Sequence, residues 1–168
     1  MKAIKEGVRH IKISSMTNLL NSCERDVTNT RVHHTHCIAQ AGPLSNQIHR
    51  FLAAAFSMSR DPVVGDRVNV FAPSQGKAQH QDRNAFNHTA GNLTCSLSVG
   101  SPRTFRFTSL NDSSQYVDLC LEDGHILAFN AEVNRLCVHE VLPADGKRLS
   151  FVIWGFAEMS SLCLQGEM

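Results

Sequence analysis

From Arg67 onward the chain is a succession of short β runs divided by turn signals, and this texture limits its architecture more than any other feature. The runs are Arg67–Ala72, Asn92–Val99, Thr104–Thr108, Tyr116–Leu121, His125–Phe129, Arg135–Leu142 and Arg148–Phe156. Clusters such as Pro73-Ser74-Gln75-Gly76, Gly100-Ser101-Pro102, Glu122-Asp123-Gly124 and Pro143-Ala144-Asp145-Gly146 separate them. Strands this short and this regularly punctuated predict an antiparallel sandwich or barrel. Ahead of them, Leu44, Ile48, Phe51, Leu52, Ala55 and Phe56 recur at helical spacing behind Pro43, which predicts a helix over roughly 44–58. Residues 1–40 sustain no period. Segment 1–66 therefore reads as helical or irregular support, 67–156 as the β core and 157–168 as a loosely attached tail, within a single domain.

Inside the β core stand His80-Gln81-Asp82, then His139, then Arg148-Leu149-Ser150. Two imidazoles and a carboxylate in the order HxD…H form the ligand set of a non-haem Fe(II) site with open positions. Side chains alternate along a strand, so His80 and Asp82, at i and i+2, point the same way. The P-x-D-G turn predicts a hairpin that sets Val141 opposite Arg148 and His139 opposite Ser150. On that register His139, Arg148 and Ser150 share one face, where an arginine can hold an acidic co-substrate beside the metal. A one-residue slip would undo this, because it turns every side chain over.

Composition excludes little. The formal net charge is +1, so no overall field points to nucleic acid or to a membrane surface. No run of about 20 apolar residues offers a membrane span. The first residues lack an apolar core, so a secretory signal is not expected. Cys23, Cys37, Cys95, Cys120, Cys137 and Cys163 are scattered without a CxxC and read as reduced thiols of a cytosolic or nuclear protein.

The stretch Arg67–Phe156 resembles the catalytic core of the Fe(II)/2-oxoglutarate-dependent dioxygenases, and within them the AlkB-like branch. The resemblance is carried by Asn69-Val70-Phe71-Ala72-Pro73, by Gln75-Gly76 with His80-Gln81-Asp82, and by the run Cys95 to Phe107, with its S-L-S-V-G-S-P-R-T-F-R-F series. Leu121-Glu122-Asp123-Gly124-His125 and the pair His139…Arg148 complete it. It implies a mainly β, double-stranded β-helix (jelly-roll) fold with one or more N-terminal helices. Further implied are Fe(II) held by His80, Asp82 and His139, and 2-oxoglutarate anchored by Arg148, with Ser150 and Asn69 as further contacts. The reaction implied is an O2-dependent hydroxylation or oxidative demethylation of a substrate, an alkylated nucleobase being the leading class and nucleic acid the corresponding partner.

The chain also departs from the repair enzymes of that branch. Ser150 and Trp154 stand where an R-x-N-x-T-x-R run would place Asn and a second Arg, and Phe71 stands where a tyrosine is common. Hydroxylation of a protein side chain or small molecule is the alternative activity, and a non-catalytic jelly-roll binding module the alternative class. A cupin-type metal site would want HxH and a Glu. Arg83, Asn87 and His88 follow the first two candidate ligands and are the candidate substrate contacts. Arg103 and Arg106 either touch substrate or face solvent, while Phe71 and Trp154 read as pocket walls or core. The cluster His33-His34-Thr35-His36-Cys37 is dense in ligands but lacks the spaced partner pair of a zinc module.

Overall fold

The computed structural model describes residues 7–12, 28–33, 36–40, 42–58, 65–83 and 91–157, with 28–33 and 36–40 described by their backbone. Among these residues eleven strands and two helices follow one another as β1 (Val8–Lys12), β2 (Thr28–His33), β3 (His36–Gln40), α1 (Pro43–Ala55), β4 (Gly65–Phe71), β5 (Lys77–His80), β6 (Leu93–Gly100), β7 (Arg103–Ser109), β8 (Tyr116–Leu121), β9 (His125–Asn130), α2 (Ala131–Leu136), β10 (Cys137–Val141) and β11 (Arg148–Gly155). They form a seven-stranded sheet, β1-β9-β6-β11-β4-β3-β2, and a four-stranded sheet, β5-β10-β7-β8. Among the described residues the strands of both sheets pair antiparallel. The two sheets face one another as a jelly roll, the double-stranded β-helix. Among the described residues no helix is long and apolar enough to cross a membrane.

The middle of the large sheet is buried on both sides, and its sequence shows why. Along β6 the odd positions Leu93, Cys95, Leu97 and Val99 join Leu149, Phe151 and Ile153 of β11 in a core against α1. The even positions Thr94, Ser96 and Ser98, equally buried, turn toward the small sheet. There a second apolar cluster forms around Phe105 and Phe107 of β7 and Leu127 and Phe129 of β9. Helix α1 starts with Pro at its first turn and buries Ser45, Ile48, His49 and Leu52. Phe51, expected on its apolar face, is 48% exposed because it lies off that i, i+3, i+4, i+7 stripe.

Three sequence expectations change. The segment before residue 66 adds strands to the large sheet: β1 pairs with β9, and β3 with β4. Their short mixed sequences carry no alternation that would announce them. The strand expected over 135–142 begins as helix α2, because the Asn130 side chain accepts the Val133 N–H at 2.9 Å, a helix N-cap. The tight hairpin is not formed. β10 pairs with β5 and β7, whereas β11 pairs with β4 and β6, so residues 142–147 cross between the sheets. A P-x-D-G signal fixes where the chain turns, not whether the flanking strands pair, and each of these strands is already hydrogen-bonded on both edges.

Arg103, only 1% exposed, holds this crossover and does not face solvent. Its guanidinium donates to the carbonyls of Asp145 at 2.8 Å, Gly146 at 2.7 Å, Pro102 at 3.1 Å and Ala72 at 3.3 Å. Replacing it with Met keeps the stem and strands these acceptors. Arg103→Met should cost about 2 kcal/mol in urea unfolding; an unchanged midpoint would show that the crossover does not need the pin.

Candidate metal and co-substrate site

Between the sheets the ordered HxD…H set comes together. Strand β5 ends at His80 and β10 carries His139 directly opposite it, with their ring centroids 4.2 Å apart. Asp82 lies just beyond β5, its Oδ1 3.5 Å from His80 Nε2 and 3.7 Å from His139 Nε2. One donor atom from each of the three residues falls within 4.8 Å of the others.

The protonation pattern fits a cation. His80 Nδ1 lies 2.9 Å from the Ala78 carbonyl, which can only accept, so Nδ1 carries a proton and Nε2 is the nitrogen turned toward the site. That Nε2 is buried without a hydrogen-bond partner and faces a carboxylate oxygen. Burial works against the Asp82 charge, yet the two imidazoles outweigh it and hold the carboxyl well below its usual pKa. Burial pushes His139 below the ordinary imidazole value, although Asp82 works in the opposite direction. An ionised carboxylate beside an imidazole disposed to give up its proton suits a divalent metal.

Neighbours fix each donor. The His139 ring stacks on Phe105 at 5.3 Å between centroids and meets Phe129 edge-on at 5.0 Å. Thr94 Oγ1 donates to Asp82 Oδ2 at 3.1 Å, tying the carboxylate to the large sheet. Asn134 of α2, wholly buried, grips the Asp82 backbone from both sides. Its Oδ1 accepts the Asp82 N–H at 2.9 Å and its Nδ2 donates to the Asp82 carbonyl at 2.8 Å.

Across the same cavity sits Arg148, 2% exposed. Its Nη2 donates to Ser98 Oγ at 2.8 Å, the Phe71 ring lies 5.2 Å from its guanidinium carbon, and its Nε has no partner. Burial, with the Arg103 charge, pushes it down to about 9, still protonated at neutral pH. Among the described residues no carboxylate forms an ion pair with it. Asn69 and Ser150 are paired across β4 and β11 and, with Phe71, Val152 and Trp154, line the cavity that also holds His80, Asp82 and His139. A buried cation facing an anion-shaped gap suits a carboxylate.

The structure thus gathers His80, Asp82, His139, Arg148, Ser150 and Asn69 around one cavity, and makes Phe71 and Trp154 its walls. Arg83 is exposed immediately after Asp82, while Asn87 and His88 lie outside the described residues. So does His34, and the side chains of His33, His36 and Cys37 with it. Arg106 faces away, bonded to Asp118 at 2.7 and 2.8 Å and stacked on Tyr116. Sequence reasoning passed over Thr94, Ser98, Asn134 and Lys77. A signal existed for the first two, since Thr94, Ser96 and Ser98 are polar at alternate positions of a strand buried throughout.

Asn134→Ala would leave the N–H and C=O of Asp82 unpaired in a buried place. It should lower stability by roughly 3 kcal/mol in denaturant unfolding and weaken divalent metal binding in the same protein; full retention of both would mean that Asp82 is positioned otherwise.

A sequence model described as the 2OG-Fe(II) oxygenase superfamily matches residues 14–160. No curated protein matches the chain in sequence. Among solved structures it is similar to OsALKBH1, with a TM-score of 0.65 and 14% identity over 89% of this chain and 96% of that one. It is similar also to a prolyl-4-hydroxylase from Pseudomonas putida, with TM-score 0.58 and 17% identity over 94% of this chain and 98% of that one. A third likeness is to an oxidoreductase of the 2OG-Fe(II) oxygenase family from Burkholderia pseudomallei, with TM-score 0.61 and 12% identity over 91% and 86% of the two chains. At such identities these are likenesses of fold. The match along most of the sequence is what assigns the chain: it belongs to the 2OG-Fe(II) oxygenase superfamily, oxidoreductases that use Fe(II) and 2-oxoglutarate.

Proposed function

We propose that the chain is a dioxygenase in which His80, Asp82 and His139 hold Fe(II), Arg148 anchors the distal carboxylate of 2-oxoglutarate, and Ser150 and Asn69 lie alongside. The observation that carries this is the pairing of two unmet needs across one cavity. At one end a buried imidazole nitrogen without a hydrogen-bond partner faces a carboxylate; at the other a buried guanidinium has a free N–H. When bound, Fe(II) with 2-oxoglutarate supplies the O2-dependent oxidation of a substrate C–H bond, coupled to decarboxylation to succinate and CO2.

The protein's own part is positional. The Ala78 carbonyl sets the His80 tautomer, Thr94 and Asn134 fix Asp82, and the aromatic packing of His139 prevents its ring from turning. Phe71, Val152 and Trp154 keep water from the space between the two ends, which strengthens every charge interaction there.

For the substrate, the AlkB-like series in Asn69–Asp82 and Cys95–Phe107 supports an alkylated nucleobase or another N-methyl group. A second reading, hydroxylation of a protein side chain or small molecule, is favoured by Trp154, buried in a cavity wall where the repair enzymes carry an arginine. Arg83, Asn87 and His88 are the proposed substrate contacts in either case.

In anaerobic titration the chain should bind about one Fe(II), and Ala at His80, Asp82 or His139 should each weaken this at least tenfold, since each removes a third of the protein's donors. Unchanged affinity in His139→Ala defeats the metal assignment. Methylated oligonucleotides should raise succinate formation in step with loss of the methyl group; if succinate does not respond while a peptide or small-molecule panel does, the nucleobase reading gives way to the second.

A further inference from the structure

Lys77 is brought into the cavity by an irregularity in the small sheet. On β10, His139 pairs with His80 and Val141 with Lys77, so two steps on β10 match three on β5. The extra residue is a β-bulge at Ala78-Gln79. In a regular strand Lys77 and His80, three apart, would face opposite ways. The bulge returns them to one side, that of Val141 and His139, as bulges beside functional sites characteristically re-aim a side chain. Ala78 and Gln79 are left outside, both exposed, with Gln79 bonded to Glu140 at 3.2 Å. Gly76 fixes where β5 begins, because a Cβ there would collide with the Val141 carbonyl oxygen and the Pro143 nitrogen.

Lys77 consequently lines the same cavity as Arg148, Asn69, Ser150 and the three candidate metal donors. Among the described residues it forms no ion pair. Burial pushes its ammonium down to about 8; Asp82 raises it, and Arg67 and Arg148 lower it further. Its charge is therefore felt from both ends of the cavity. The cavity is narrow, with about 30 Å³ of free volume, and Lys77 is the long flexible side chain on its β5 side.

We propose that Lys77 is a second co-substrate contact, its ammonium pairing with a carboxylate of 2-oxoglutarate while Arg148 holds the other end. The inference rests on the reading of this cavity as the 2-oxoglutarate site. A dianion then meets two cations from opposite sheets, and its binding depends less on the metal than it would with Arg148 alone.

Trp154 is the chain's single tryptophan and lines the cavity, so its fluorescence reports occupancy without turnover. The full chain, loaded with redox-inert Zn(II) and again after chelation, is titrated with 2-oxoglutarate, succinate and the monoacid 2-oxobutyrate. Lys77→Met should weaken both dicarboxylates about tenfold in the chelated protein, Lys77→Arg should restore most of the loss, and Arg148→Ala should cost about 10²-fold. Unfolding curves run alongside identify any variant that fails to fold, and Lys77→Gln then takes the place of Met. Dicarboxylate binding unchanged in Lys77→Met, or absent from the chelated wild type, overturns the proposal. If Lys77→Met weakens binding and Arg148→Ala does not, Lys77 stands and the Arg148 anchor falls; the opposite pattern removes Lys77 and leaves the anchor.

Discussion

Alternation along the two central strands of the large sheet is the constraint on which everything else depends. β6 and β11 are buried on both faces, so each residue must suit one of two interiors. Leu, Cys, Val, Phe and Ile at one parity make a dry contact with α1. At the other parity Thr94, Ser98, Arg148 and Ser150 are placed where they must find polar partners or leave buried groups unmet. They find some in each other, as Arg148 does in Ser98, and some in Asp82, as Thr94 does. What is left over, a guanidinium N–H on this sheet and an imidazole nitrogen on the other, defines the chemistry of the cavity. An apolar inner face would have made a more stable sandwich with nothing to bind.

The small sheet contributes the complementary half. Helix α2 both leads into the strand that carries His139 and grips the backbone of Asp82 through Asn134. Gln81 reinforces this by donating to the Asn134 carbonyl at 2.7 Å. The three donor residues are thus joined through a short buried element as well as through a common cavity.

Much of this was legible in the sequence. The spacing of His80, Asp82, His139 and Arg148 foretold a shared cavity, and Tyr116–Leu121 was bounded to the residue. The reasoning about parity reached the right grouping by a wrong route, since His139 and Arg148 face each other across two sheets and not along a hairpin. Parity survives that error because facing sheets and paired strands both align inward positions. β5 is missing from the expected runs because Lys-Ala-Gln-His carries no apolar alternation, and the strand assumed at His80 and Asp82 ends at His80. Asn134 was unreadable for a different reason: its value comes from Asp82, distant in sequence, and no local pattern encodes that contact.

Among the described residues β8 ends the small sheet, and a strand edge is a template on which another chain can extend a sheet. Here the strand is short and its outward positions carry Asp118 locked to Arg106, with Tyr116 folded against that arginine. An added strand would have to strip water from that charged pair. The same side chains that lie too far from the cavity to serve it place charge on the last strand of the small sheet, a feature that discourages edge-to-edge pairing.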